Sequence, residues 1–241
     1  MNPMLKLLAS NRRRGRFEIE AKADEKEATV YLYDMIVDSE ADAEWWGGVS
    51  AEGFVKQFAG IKAETIHLRV NSPGGSVFGG RSMEQAIRQH SAKVIAHVDG
   101  LAASAASFLI MAADQIEMAP GSFLMIHKAW TFAMGNADDL TKQAELLNQI
   151  DDSLAATYTK RTGLDAAVVS DMLAAETWLE ASKAVEMKFA DLVSEDKPKD
   201  AINWDLSAYR AAPRIEQPPP PAAGPDRDAL RRAALRALIP A

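Results

Sequence analysis

Apolar residues fall along this chain in two rhythms. Residues 28–37 (Ala-Thr-Val-Tyr-Leu-Tyr-Asp-Met-Ile-Val) are dense in β-branched and aromatic side chains and predict a strand. Residues 65–70 and 93–98 predict two more, and residues 115–118 and 123–126 predict two short ones. Between them the period lengthens to that of a helix. Phe54, Val55 and Phe58 share one side of a helix that Ser50 can cap and that runs to about Ala59. Met83, Ala86 and Ile87 predict a second helix over 77–90, and the small apolar run 105–113 predicts a buried third. Residues 38–48 are acidic and end in Trp45-Trp46-Gly47-Gly48, the pattern of a loop with an aromatic anchor. Strands alternating with helices predict βαβ units and a largely parallel sheet, whose ligands gather at the carboxyl ends of the strands.

From Asn136 the pattern changes. Asn136 reads as an N-cap, and Asp138 and Asp139 in the first turn suit the helix dipole. Leu140, Ala144, Leu147, Ile150, Leu154 and Tyr158 then recur at steps of three and four, predicting one long amphipathic helix to about Lys160. Gly163 ends that stretch, and residues 165–173 predict a shorter helix. After about Asp200 prolines punctuate a stretch with few large apolar residues, the composition of a semi-rigid linker. Residues 226–238 predict a short basic helix beyond it. The expected organisation is therefore an N-terminal arm over 1–25, one domain over 26–200, and a Pro-rich linker with a short basic helix over 201–241.

The composition narrows the chemistry. A chain of 241 residues can bury one substantial core, and its formal net charge of −7 excludes a nucleic-acid binder held by phosphate contacts. There is no cysteine, which removes disulfides, thiolate metal sites and a cysteine nucleophile and fits a reducing compartment. No segment approaches the roughly 20 apolar residues of a membrane span. The first ten residues carry a short apolar stretch followed by Arg12, Arg13, Arg14 and Arg16, the reverse of a secretory leader. A cytoplasmic protein with a flexible or partner-binding arm is expected.

Three short segments carry the candidate chemistry. Asn71-Ser72-Pro73-Gly74-Gly75 forms a turn after the second strand, Gly100-Leu101-Ala102-Ala103-Ser104 follows the third, and Met125-Ile126-His127 ends another apolar run. Each has a plain structural reading: a tight turn, a close-packed helix start, a solvated histidine. Together they supply what acyl transfer requires. A serine at a strand-to-helix junction exposes its hydroxyl, and a histidine can take its proton during attack. His67, His90 and His97 fall within or beside secondary structure and read as structural. In this order the segments resemble those of the ClpP-type serine proteases, and the similarity extends through Thr177-Trp178-Leu179-Glu180 to cover about residues 29–193.

That resemblance implies a crotonase-like α/β spiral of ββα units with a projecting handle helix, here residues 136–160. It implies Ser104 as nucleophile and His127 as base, with the backbone N–H groups of Gly75 and Ala105 as the oxyanion hole. The family's third member, an aspartate before an aromatic-Leu pair, falls at Glu176, and Asp171 is its rival. Lys128 raises a Ser–Lys dyad as in related signal-peptide peptidases. Neighbours on a strand point to opposite faces, however, so Lys128 and His127 cannot both face Ser104. No cofactor, phosphate-loop or metal pattern is present.

Within the family, residues 127–140 (His-Lys-Ala-Trp-Thr-Phe-Ala-Met-Gly-Asn-Ala-Asp-Asp-Leu) and Glu176-Thr177-Trp178 are most similar to phage and prophage head maturation proteases. Housekeeping members usually carry Gln-Pro after the histidine and a longer insertion before the handle. The resemblance implies a homo-oligomeric ring acting on capsid or scaffold protein. The alternatives are a degradative subunit fed by an ATPase unfoldase, and a non-enzymatic crotonase-like scaffold.

Overall fold

The computed structural model describes residues 3–12, 14–21, 26–195 and 204–213. In chain order the elements are α1 (Pro3–Asn11), β1 (Arg16–Ala21), β2 (Glu27–Tyr33), β3 (Ile36–Val37), α2 (Glu40–Trp46), β4 (Val49–Ser50), α3 (Ala51–Phe58), β5 (Thr65–Ser72), α4 (Val77–Gln89) and β6 (Lys93–Ala103). There follow α5 (Ala105–Leu109) with a 3-10 turn (Ile110–Ala112), β7 (Gln115–Met118), β8 (Phe123–Ile126), α6 (Ala137–Thr162), α7 (Ala166–Ala175), β9 (Thr177–Glu180), α8 (Ala181–Glu186) and β10 (Leu192–Val193).

The main sheet runs β1-β2-β5-β6-β7-β10, parallel throughout except for β1 against β2. Alternation sets its faces: Val30 and Leu32 on β2, Ile66, Leu68 and Val70 on β5, and Val94, Ala96 and Val98 on β6 all point into the core. β6 is the branching strand. Its first half pairs with β7 through Ile95 to Val98, and its last residues pair with β8 through Leu101 to Ala103. β8 then takes β9 as an antiparallel partner. The mixed α/β architecture expected from the resemblance is the one observed.

Several helix ends follow from local sequence. Ser50 Oγ accepts the Gly53 N–H at 3.0 Å, and Asn136 Oδ1 accepts the Asp139 N–H at 3.1 Å, so both predicted N-caps are formed. The acidic stretch 38–48 is not a plain loop. Ser39 and Asp42 close a capping box that starts α2, and Gly47 ends it at φ 78°. The predicted helix over 105–113 is split, because the 3-10 turn tightens after Leu109.

The two ends of the chain are more involved than an arm and a linker. β1 pairs with β2 from Arg16 against Tyr33 to Ala21 against Ala28. Leu7 and Leu8 of α1 enter a second core cluster with Met35, Val37, Leu101, Met125, Trp204 and Tyr209. Residues 204–213 therefore form a strap over the sheet's carboxyl end. An aromatic ring of this size takes roughly 150–250 Å² out of water, about 4–6 kcal/mol before ordering entropy is subtracted. The Pro-rich run from Pro218 to Pro225 and the basic helix predicted over 226–238 lie outside the described residues.

α6 is 26 residues long and divides into two parts. Asp151, Leu154, Ala155, Tyr158 and Thr162 are buried against the domain, whereas Leu140 and Leu146 are exposed, as are Phe132 and Met134 just before the helix. Of the predicted stripe, Leu147 and Ile150 are only half-buried and face the cleft described below. No helix among the described residues is long and apolar enough to cross a membrane.

Candidate active site

Ser104 stands at the junction of β6 and α5 with φ 53° and ψ −119°, in backbone that a non-glycine residue seldom adopts. Such a residue costs about 1–3 kcal/mol and persists only where its surroundings hold it. Here the Ser104 N–H donates to the Met125 carbonyl of β8 at 2.9 Å, and the Ser104 carbonyl accepts from the Ser107 N–H at 2.9 Å. Ser107 Oγ also donates to that carbonyl at 2.7 Å and receives the Tyr158 hydroxyl of α6 at 2.7 Å. The junction is thus tied to a neighbouring strand and to the long helix.

The Pro-Gly-Gly turn lies directly against it. A Cβ at Gly74 would come within 2.6 Å of the Ala103 carbonyl oxygen and 2.8 Å of Ser104 Cβ, so only glycine permits this approach. The Gly74 N–H donates to Ser72 Oγ at 3.1 Å. Gly75, at φ 148°, is bracketed by bonds from Ile36 N–H to the Gly74 carbonyl and from Ser76 N–H to the Ile36 carbonyl, neither of which uses its own N–H. Ala105 opens α5, so its N–H has no acceptor within the helix.

His127 follows β8, and its Nε2 lies 2.8 Å from Ser104 Oγ. The chain beyond it is pinned on both sides: Lys128 N–H donates to the Leu173 carbonyl at 3.1 Å and Ala129 N–H to Asp151 Oδ1 at 2.7 Å. Burial holds the His127 pKa down to about 4, against the opposing pull of the negative charge on Glu176. The ring is enclosed by Trp130, edge-on at 4.8 Å, and by Tyr209, edge-on at 5.4 Å. Lys128 turns to Asp151, with 3.8 Å between Nζ and Oδ2, and keeps about half of its side chain exposed. The Ser–Lys dyad is not formed.

Glu176 caps α7 in left-handed backbone at φ 55° and is buried to 8 % exposure. Its Oε1 accepts from Ala211 N–H at 2.6 Å and Trp178 Nε1 at 3.3 Å, and its Oε2 from Arg210 N–H at 2.9 Å. Among the described residues no hydrogen bond joins it to His127, so the two interact through charge alone. Asp171 is exposed on α7. Of the two carboxylates weighed from sequence, only Glu176 is buried at the site.

The strap is the part that sequence reasoning missed. Tyr209 stacks on Trp130 at 5.2 Å and 7°, lies edge-on to Trp178 at 5.8 Å, and donates its hydroxyl to the Pro73 carbonyl. Trp204 donates to Asn71 Oδ1 at 2.9 Å. Two isolated aromatics in a polar, proline-bounded stretch have no periodicity; their size was the only available signal. A cleft of about 170 Å³ opens on Ser104 and His127, lined also by Gly75, Trp130, Leu147 and Ile150. A larger cavity of about 500 Å³ between α4 and α6, lined by Arg88, Met111 and Arg161, is remote from this chemistry. No group of three or more His, Asp or Glu among the described residues could hold a metal ion.

The arrangement can pass a proton from a serine hydroxyl to an imidazole beside an open cleft. Residues 50–197 match the family described as Clp protease. The ATP-dependent Clp protease proteolytic subunit 1 of Prochlorococcus marinus (strain MIT 9312) is 30% identical over 155 residues, covering 62% of this chain and 80% of that protein. The ATP-dependent Clp protease proteolytic subunit of Staurastrum punctulatum is 29% identical over 138 residues, 56% of this chain and 69% of the other. The solved structure of the ClpP1 N165D mutant from Listeria monocytogenes superposes with a TM-score of 0.59 at 21% identity, over 70% of this chain and 91% of that one, which speaks for the fold. With its family profile spanning the serine junction, the histidine and the carboxylate, the chain belongs to the Clp protease family.

Proposed function

We propose that this chain is a serine endopeptidase of the Clp type. The observation that carries the reading is the 2.8 Å contact between His127 Nε2 and Ser104 Oγ, made at a backbone junction with positive φ. Ser104 Oγ attacks the peptide carbonyl as its proton passes to His127 Nε2. The N–H groups of Gly75 and Ala105 receive the oxyanion. His127 then gives the proton to the departing amine as the C–N bond breaks, and water repeats the sequence on the acyl-enzyme. Burial keeps the imidazole neutral at physiological pH, the form that can accept the proton, and the charge on Glu176 favours the imidazolium that follows.

The exposed outer half of α6, with Phe132 and Met134 beside it, supports assembly with further copies into the ring that the family implies. We assign capsid or scaffold proteins as substrates during phage head maturation, on the resemblance of residues 127–140 and of Glu176-Thr177-Trp178. The relatives' description as ATP-dependent favours a second reading, a degradative cytoplasmic subunit fed by an ATPase. Co-expression of capsid and scaffold proteins with wild type or Ser104→Ala, followed by mass spectrometry of their termini, separates the two. New termini made only by the wild type support maturation. Unchanged termini, with folded substrates degraded only when an ATPase is added, would replace it with the degradative reading.

A further inference from the structure

The serine–histidine pair is walled by a segment that the family profile does not reach. That profile ends at residue 197, whereas the strap over 204–213 lies against Asn71, Pro73, His127 and Glu176. Resting on the serine-peptidase reading above, we propose that the strap is a fixed part of the active site. Tyr209 is a positioning residue for His127, and the N–H groups of Arg210 and Ala211 are the positioning donors for Glu176.

The geometry of the aromatic rings supports the first role. Trp130 and Tyr209 stack at 7°, and each meets the imidazole edge-on, at 79° and 86° respectively. This corner restricts the ring to the plane that aims Nε2 at Ser104 Oγ. The Tyr209 hydroxyl, bonded to the Pro73 carbonyl, ties the same ring to the turn that carries Gly74 and Gly75. Base and oxyanion donors thereby share one support.

Glu176 is held differently. Both of its oxygens accept from strap backbone, and backbone donors cannot rotate away as side chains do. The strap itself is anchored at its start, where Asn11 of α1 donates to the Asp205 carbonyl at 2.9 Å and accepts from the Asp205 N–H at 2.7 Å. It is anchored again near its end, where Arg210 Nη2 donates to the Ala174 carbonyl at 3.2 Å. No strap residue lines the cleft beside Ser104. A blocking segment would occupy that cleft; this one flanks the pair, with the Tyr209 hydroxyl beside Ser104 as well as bonded to the Pro73 carbonyl. The titratable groups facing His127 are Glu176 and Tyr209, since Lys128 and Asp151 pair with each other.

The test compares full-length wild type, Tyr209→Phe and Tyr209→Ala by two readouts. One is the rate of Ser104 labelling by a fluorophosphonate across pH. The other is exchange of the histidine C2 protons in D2O followed by mass spectrometry, which titrates each histidine without needing activity. Tyr209→Ala is expected to slow Ser104 labelling on the order of 10²-fold. It is also expected to raise the His127 titration from about 4 toward the ordinary value of about 6.5. Tyr209→Phe keeps the ring and is expected to restore the His127 titration and most of the labelling. Should Tyr209→Ala move all 4 histidines together, signalling a lost fold, Tyr209→Leu takes its place with the same expectations. Faster labelling than wild type would make the strap a lid and overturn the proposal. An unshifted His127 titration in the variant without the ring would overturn it as well. A wild type that takes no label at Ser104 sinks the peptidase reading instead, and the His127 titration still decides the strap.

Discussion

Ser104 and His127 stand at the ends of β6 and β8, neighbouring strands joined through residues 101–103 and 123–125, whereas Glu176 stands on one left-handed residue at the end of α7. The first two are placed by ladder bonds that also build the sheet. The Ser104 N–H bonds to β8 itself. The carboxylate is placed by the strap, which arrives from the far end of the chain. Sheet geometry thus secures the serine–histidine distance, while the charge that serves the histidine is secured by a docked segment. Substitutions in the two halves should therefore fail by different amounts.

Removing a member of the sheet-borne pair gives the largest effect. Ser104→Ala and His127→Ala are each expected to abolish peptide turnover, a loss on the order of 10⁶-fold where nucleophile and base act as a unit, with the assembly state unchanged by size-exclusion chromatography. Assembly lost in either variant would mean that the residue holds the fold. On the strap-borne side, Glu176→Gln is expected to lower kcat on the order of 10²-fold, because Glu176 acts on His127 through charge and not through a hydrogen bond. A loss as large as that of His127→Ala would show that the carboxylate swings onto the imidazole during turnover.

Stability should follow pH through His127. Its folded pKa of about 4 lies below the ordinary value of about 6.5, so the unfolded chain takes up the proton first. As pH falls from about 6.5 to 4, this group should remove on the order of 3 kcal/mol of stability, and below that window it should contribute no further change. Urea denaturation at pH 7 and pH 4.5 measures it, and His127→Ala should flatten the dependence. A smaller effect is expected at the close approach that the sheet half requires. Gly74→Ala places a methyl 2.6 Å from the Ala103 oxygen at φ 90°, costing about 1–3 kcal/mol in backbone strain alone, read as a lowered Tm. The least effect on the site itself should come from Met134→Asp with Leu140→Asp, both exposed and outside the cleft. That pair should reduce the size of the assembly while Ser104 still takes an active-site probe.

The same division explains what could be read from the residues. The sheet half is carried by short segments with local meaning: Pro73-Gly74-Gly75 can only be a turn of close approach, and Ala102-Ala103-Ser104 needs small neighbours to bend. β6 nevertheless runs five residues past the predicted end at Val98, because its small residues lack the β-branched signature while still pairing with β8. α2 was legible in principle through Ser39 and Asp42, a capping box obscured by the following Trp-Trp-Gly-Gly. The strap was not legible. Trp204 and Tyr209 are set in a polar stretch before a proline run, and their burial depends on surfaces from α1, β5 and α7 that only the folded chain brings together.

The central claim is that Ser104 is a nucleophile activated by His127. Incubation of the full-length protein with a fluorophosphonate, followed by peptide mapping, tests it most directly. The account predicts one covalent adduct, on Ser104, that His127→Ala abolishes and prior heat denaturation prevents. No adduct, or an adduct only on another serine, would contradict it and leave the non-enzymatic scaffold as the better reading; labelling of Ser104 that survives His127→Ala at the wild-type rate would contradict the part given to His127.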